Sequence, residues 1–292
     1  MNIIHTTTIL SAFLCVASIA GAADQLTTFD AAFTPPSPGT TIQTEALGFN
    51  ARGDIVGDFR FEFERFSVQH GFLFSGGAYT MIDVPGGSAT RPQAINDQGD
   101  IVGSFFALSP EVGIRGFLLR GGSFSTIHVP GSVNTSADNI NDRGDIVGWY
   151  TEPFTGQEHG FLLRGGTFTV IDVPGAARGT RAEGISVGGD IVGRYLDAGF
   201  AAHGFLLSNG AFTTIDFPGA SVTQAQKINA RGEIVGWYLT DHQHGFLLSR
   251  GAFSTVDVPV AGSVTIPSGI DAQGDMMGTY IDTRSHGFLL RR

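Results

Sequence analysis

Four histidines each stand thirteen residues ahead of an aspartate: His70 and Asp83, His159 and Asp172, His203 and Asp216, His244 and Asp257. A carboxylate that orients an imidazole supplies two of the three members of a hydrolytic triad, so the spacing raises acid–base chemistry at once. One active site has no use for four copies of a dyad. An opposite-charge pair across two strands contributes about 0.2–1 kcal/mol, enough to recur for structural reasons, and the pairs are expected to be structural. One unit carries Arg115 and His128 in these places, both members changing together as expected if the two side chains touch. That departure is where a hydrolase or lyase site would be sought first.

Other candidates are fewer. An acidic residue follows a turn glycine in every unit (Asp54, Asp100, Asp145, Asp190, Glu233, Asp275), but no calcium-loop spacing surrounds it, and a solvated strand start is expected. No zinc pattern, phosphate loop, nucleophile elbow or dinucleotide fingerprint is present, so neither metal nor cofactor is expected. Trp149 and Trp237 are candidates for stacking on sugar rings. The run Phe59 to Glu64 alternates aromatic with charge, the pattern of a half-buried strand. It makes Phe61 and Phe63, with nearby Phe66, candidate binding residues on a loop; folding back onto Phe33 is the competing reading.

These residues are positioned by a repeat. His-Gly-Phe, a two-residue turn such as Gly165-Gly166, Ile-Asp-x-Pro and Gly-Asp-Ile-Val-Gly recur along the chain, and self-similarity at this period indicates a repeat architecture. Two apolar, β-rich runs flanking two turn residues form a hairpin whose register is fixed by the turn. With Gly165-Gly166 at the turn, Phe161 faces Val170 and His159 lies opposite Asp172. The second half of the unit reads as a strand ending in Ile-Asn, an Asn-x-x-Gly turn, and a strand Ile-Val-Gly-x-Tyr. Each unit is a four-stranded meander. The aromatic two places after the glycine (Phe59, Phe105, Tyr150, Tyr195, Tyr238, Tyr280) is expected to fill the space over that bare backbone.

Each mark occurs six times, but the last His-Gly-Phe, at His286, has no partner strand after it. Leu26 to Asp30 matches the missing strand and places His286 opposite Asp30. The expected fold is therefore all-β: a six-bladed β-propeller of four-stranded antiparallel blades, closed by pairing of residues 26–30 with 286–290. A solenoid would need capping units and gives no reason for complementary ends. The first unit has the longest loops, on the same face of the ring.

The motifs HGFLL, FTTID and IN-x-x-G-x-IVG-x-Y resemble the HAF repeat of predicted extracellular bacterial proteins. The sequence departs from that pattern with Gly at the second position of His-x-Phe and Ile-Asp-Val-Pro-Gly in place of a Leu-Gly-rich segment. The resemblance implies an exported protein without an assigned reaction, and it carries over no catalytic residue.

Residues Ile9 to Ala23 have the length and small-residue ending of a signal peptide and are too short to span a bilayer. Residues 1–23 are read as a leader and 24–292 as one domain, secreted or periplasmic, with no membrane span and monomeric. Its net charge of −10 argues against a nucleic-acid partner. The expected function is a non-enzymatic binding or interaction protein that engages an extracellular carbohydrate or protein through the rim enlarged by the first unit. A propeller-type hydrolase or lyase and a purely structural matrix protein are the alternatives.

Overall fold

The computed structural model describes residues 25–31, 33, 41–63, 66–109, 112–260 and 262–292, with the backbone alone for Cys15–Ser18, Thr41, Phe63 and Phe66. Six antiparallel sheets form a ring, a six-bladed β-propeller. Blade one runs from Thr41 to Ile82, blade two from Gly87 to Ile127, blade three from Asn134 to Ile171, blade four from Thr180 to Ile215 and blade five from Val222 to Val256. Blade six takes three strands from the end of the chain, Val264–Ile270, Met276–Ile281 and Ser285–Arg291, and its outer strand, Gln25–Phe29, from the beginning. Gln25 pairs with Arg291 and Phe29 with Gly287, so the two chain regions close the ring. The backbone of Cys15–Ser18, within the expected leader, adds a fifth strand outside Gln25–Phe29; the rest of residues 1–24 lies outside the described residues. Among the described residues no helix is long and apolar enough to cross a membrane.

The hydrophobic cores lie between blades. Val147 of blade three, for example, packs with Ile185, Ile191 and Phe205 of blade four. The phenylalanine of every His-Gly-Phe or Arg-Gly-Phe motif (Phe72, Phe117, Phe161, Phe205, Phe246, Phe288) is almost wholly buried. Each contributes about 2–3 kcal/mol through removal of its ring from water. The glycine of Ile-Val-Gly is sterically required: a Cβ on Gly148 would stand 1.9 Å from the Ser136 carbonyl oxygen of the innermost strand.

Polar side chains join the blades in sequence. Asn141 accepts the N–H groups of Arg143 and Asp145 through Oδ1, closing its own turn, while Nδ2 donates to the Ser186 carbonyl of the next blade at 3.1 Å. Asn50, Asn96 and Asn229 make the same link. A threonine near the start of every innermost strand (Thr44, Thr90, Thr135, Thr180, Thr223, Thr265) accepts a backbone N–H from the loop before it, at 2.9–3.1 Å.

Three of the six acidic residues after the turn glycines are not solvated as expected, while Asp190, Glu233 and Asp275 are half-buried. Asp54, Asp100 and Asp145 are buried. Asp145 accepts two hydrogen bonds from Arg164 at 2.8 and 2.9 Å, and that guanidinium holds its carboxyl below the usual aspartate range. The side chain comes from the end of the third strand, which the hairpin register alone does not bring to this turn.

Candidate functional site

The first strand of each blade lines the axis. In each of these six strands a bulge shifts the register, as between Ala137 and Asn139. The displaced residue there is Asp138. Around the ring this position is held by Leu47, Gln93, Asp138, Glu183, Gln226 and Ser268, and the position two before it by Glu45, Arg91, Ser136, Arg181, Gln224 and Ile266. All twelve border one axial cavity of about 580 Å³. Phe106, Ile114 and Ile281, which flank connections between second and third strands, also line it, so its mouth lies on that face. A smaller cavity of about 180 Å³ lies at the opposite end, among the Asn-bearing turns.

Charged groups crowd the wall. Arg91 reaches Glu45 at 2.5 Å and Asp58 at 3.3 Å, while Arg60 stands 3.5 Å from Glu45 and 3.7 Å from Asp58. Across the axis Arg181 grips Glu158, Nε to Oε2 at 2.6 Å, and lies over the Trp149 ring at 4.0 Å. Arg194 stands 3.3 Å from Glu183. Buried among these pairs, Asp58 Oδ1, Arg91 Nε and Glu183 Oε2 make no hydrogen bond.

Lys227, the one lysine in the sequence, borders both cavities. Its Nζ donates to the backbone carbonyls of Asp138 at 2.8 Å and Glu183 at 3.0 Å.

Desolvation dominates the protonation of this wall, because a charge is disfavoured wherever water is excluded. Burial raises the Glu183 carboxyl to about 7 against the pull of Arg194, and lowers the Lys227 amine to about 8 although Asp138 and Glu183 favour its charge. Burial also pushes Asp58 and Asp138 up from the usual aspartate range.

The residues singled out by sequence fall elsewhere. The five imidazole–carboxylate pairs, including His286 with Asp30, lie at 2.8–2.9 Å. Each imidazole also stacks on the aromatic of the neighbouring strand, His159 on Tyr150 at 5.2 Å and His70 on Phe59 at 5.5 Å. The same clasp thus recurs in five of the six blades.

Arg115 is buried, and its Nη1 donates to the carbonyls of Ile114 and Val133; His128 Nδ1 stands 3.3 Å from the Ser132 hydroxyl. Phe61 is corrected as a binding residue: it is 7 % exposed and packs edge-on to Phe59, which itself stacks on Phe33. The period-2 alternation was real, but its aromatic side faces the core. Phe63 and Phe66 pair through their backbones at the tip of the hairpin, and their side chains lie outside the described residues. Trp149 lines the axial cavity, whereas Trp237 is half-buried and pairs with Gln224.

Exposed aromatics among the described residues stand instead on blades two, three and four, Phe106 at the cavity mouth being the one on blade two. Phe154 is fully exposed with φ 70°, and Phe200 is exposed with φ 67°. Positive φ is costly for a bulky side chain. Both occupy second-to-third-strand connections, on the face where the cavity opens.

No family model and no curated protein matches the sequence. Similar folds are found among solved structures. The β-propeller domain of the trilobed protease from Pyrococcus furiosus has 9% identity and a TM-score of 0.49, covering 85% of this chain and 95% of that one. A fucose-specific lectin from Aleuria aurantia has 11% identity and a TM-score of 0.46, covering 91% and 99%. YCF48 bound to D1 peptide has 10% identity and a TM-score of 0.42, covering 95% and 97%.

Proposed function

We propose that the chain is an exported, non-enzymatic binding propeller that receives a polar ligand, a glycan or peptide, at the mouth of its axial cavity. The observation that carries this reading is the contrast between scaffold and axis. The clasps, threonines and buried phenylalanines repeat from blade to blade, whereas the twelve side chains around the axis differ from one blade to the next. Holding the ring together does not call for that variety. Recognition of an asymmetric ligand by a few placed polar groups does.

The enlarged first blade takes part through Arg60, which joins the axial ion pairs, rather than through Phe61. The reading of export rests on the likeness of the repeat to HAF repeats and on the apolar run Ile9 to Ala23 with its small-residue ending.

An array of glycans and peptides, followed by calorimetric titration of any hit, tests the proposal. Trp149→Ala and, separately, Gln224→Ala should each weaken binding at least tenfold while leaving the thermal transition within a few degrees. Undiminished affinity in both would move the ligand off the axis.

One observation favours a hydrolase or lyase as a second reading: Glu183, poised near neutrality with Oε2 unbonded, suits a general acid. Turnover of a glycan or lactone that survives Glu183→Gln would remove Glu183 from that role, and no turnover by the parent chain would dismiss the reading.

A further inference from the structure

The connection between the second and third strands of blade five, residues 240–242, leads into a strand that begins Gln243-His244. Asp241, His242 and His244 each offer one ligand atom, and these atoms all lie within 4.8 Å of one another. His242 Nδ1 stands 3.0 Å from Asp241 Oδ2, and His244 Nε2 stands 3.3 Å from Asp241 Oδ1. Ligands at about 2.0–2.1 Å from a tetrahedral zinc ion are separated by about 3.3 Å, so little movement would bring the three onto one ion.

His244 is already oriented for that role. Its Nδ1 is held by Asp257 at 2.8 Å and its ring stacks on Tyr238 at 5.2 Å, which directs Nε2 toward Asp241. A carboxylate behind a ligating imidazole fixes its tautomer and raises its basicity, the usual support of metal-bound histidine.

Blades four and six serve as internal comparisons. There Asp197 approaches His203 Nε2 at 3.6 Å and Asp282 approaches His286 Nε2 at 3.4 Å, each imidazole again backed by its clasp aspartate. Neither loop adds a second imidazole. Among the described residues no other group of three His, Cys, Asp or Glu side chains gathers in this way.

We propose that Asp241, His242 and His244 form a binding site for a divalent transition-metal ion of the zinc, nickel or copper type on the cavity face of blade five. Two imidazoles and one carboxylate suit these borderline ions better than calcium or magnesium, which take oxygen ligands. Three protein ligands leave a position for water or for a donor atom of a second molecule. The site stands independently of the axial reading.

Equilibrium dialysis of the tag-free full chain against Zn²⁺, with metal measured by atomic absorption, tests the assignment, supported by the visible absorption of a Co²⁺ form. One equivalent should be retained. His242→Ala should lower the affinity at least tenfold, whereas His203→Ala and His286→Ala, which remove single-imidazole neighbours, should leave it unchanged. Saturating Zn²⁺ should raise the unfolding temperature of the parent chain and not that of His242→Ala. Failure to retain zinc, or equal retention by the parent and His242→Ala, would overturn the proposal.

Discussion

Replacing Glu183 by glutamine should remove a pH dependence that the parent protein carries in its axis. The carboxyl is faced by Arg194 on its partner strand, by Arg181 two residues before it, by Asp138 of the neighbouring blade and by Lys227 of the next. Burial outweighs the cations and raises its pKa from 4.5 to about 7.

A raised carboxyl pKa means that the folded state holds the proton more tightly than the unfolded chain does. Its contribution is therefore complete below the unfolded value and is lost as pH climbs toward the folded one. Between about pH 5 and about pH 8, those two values imply a loss of about 2.5 kcal/mol from this one group. Asp58 and Asp138, also pushed up by burial, change in the same direction, so the diagnostic quantity is the difference between parent and Glu183→Gln. Urea unfolding at several pH values across that range measures it. The variant should gain on the parent by about 2–3 kcal/mol at the alkaline end. Parallel stability curves would refute a buried, reluctantly ionised carboxyl at this position.

Two further outcomes concern the scaffold. Deleting residues 1–30 removes the strand that pairs with Ser285–Arg291 together with the Asp30 clasp, and should abolish a cooperative thermal transition, whereas deleting residues 1–23 should preserve it; identical transitions would dismiss ring closure by the chain ends. Asn141→Ala strips partners from two backbone N–H groups and from the Ser186 carbonyl, costing about 2–4 kcal/mol in chemical denaturation, while Asn141→Ser should cost less. Blade four already uses Ser186 this way, its hydroxyl accepting the Asp190 N–H at 3.1 Å.

The scaffold was legible because its interactions recur. A thirteen-residue interval, folded over a two-residue turn, places His159 against Asp172 by counting alone, and the unmatched His286 points to Asp30. The six threonines could have been found in the same way, since one stands near the start of every innermost strand. The axis was not legible, for two physical reasons. Its side chains do not repeat, so no periodicity marks them. The bulge in each innermost strand also breaks the alternation by which inward and outward residues are counted, leaving Asp138 and Glu183 on no predictable face. A single lysine, at a place where other units carry Gly, Ala or Asn, was the remaining signal. The metal-ligand group escaped because Asp-His-x-His matches no long spacing motif and needs only a tight loop. Phe61 shows the converse: the period was right, but a pattern of period 2 does not say which side meets the core.

The clasp between Gln25–Phe29 and Ser285–Arg291 imposes an order in time. A ribosome releases the first of these segments before the five intervening blades and the second after them, so Gln25–Phe29 waits through all five without the strand on which the ring closes. An unsatisfied strand edge is a template for pairing with foreign chains. The newborn protein is thus most vulnerable to aggregation until Ser285–Arg291 emerges, and whatever shields residues 25–29 during that interval governs the yield of completed rings.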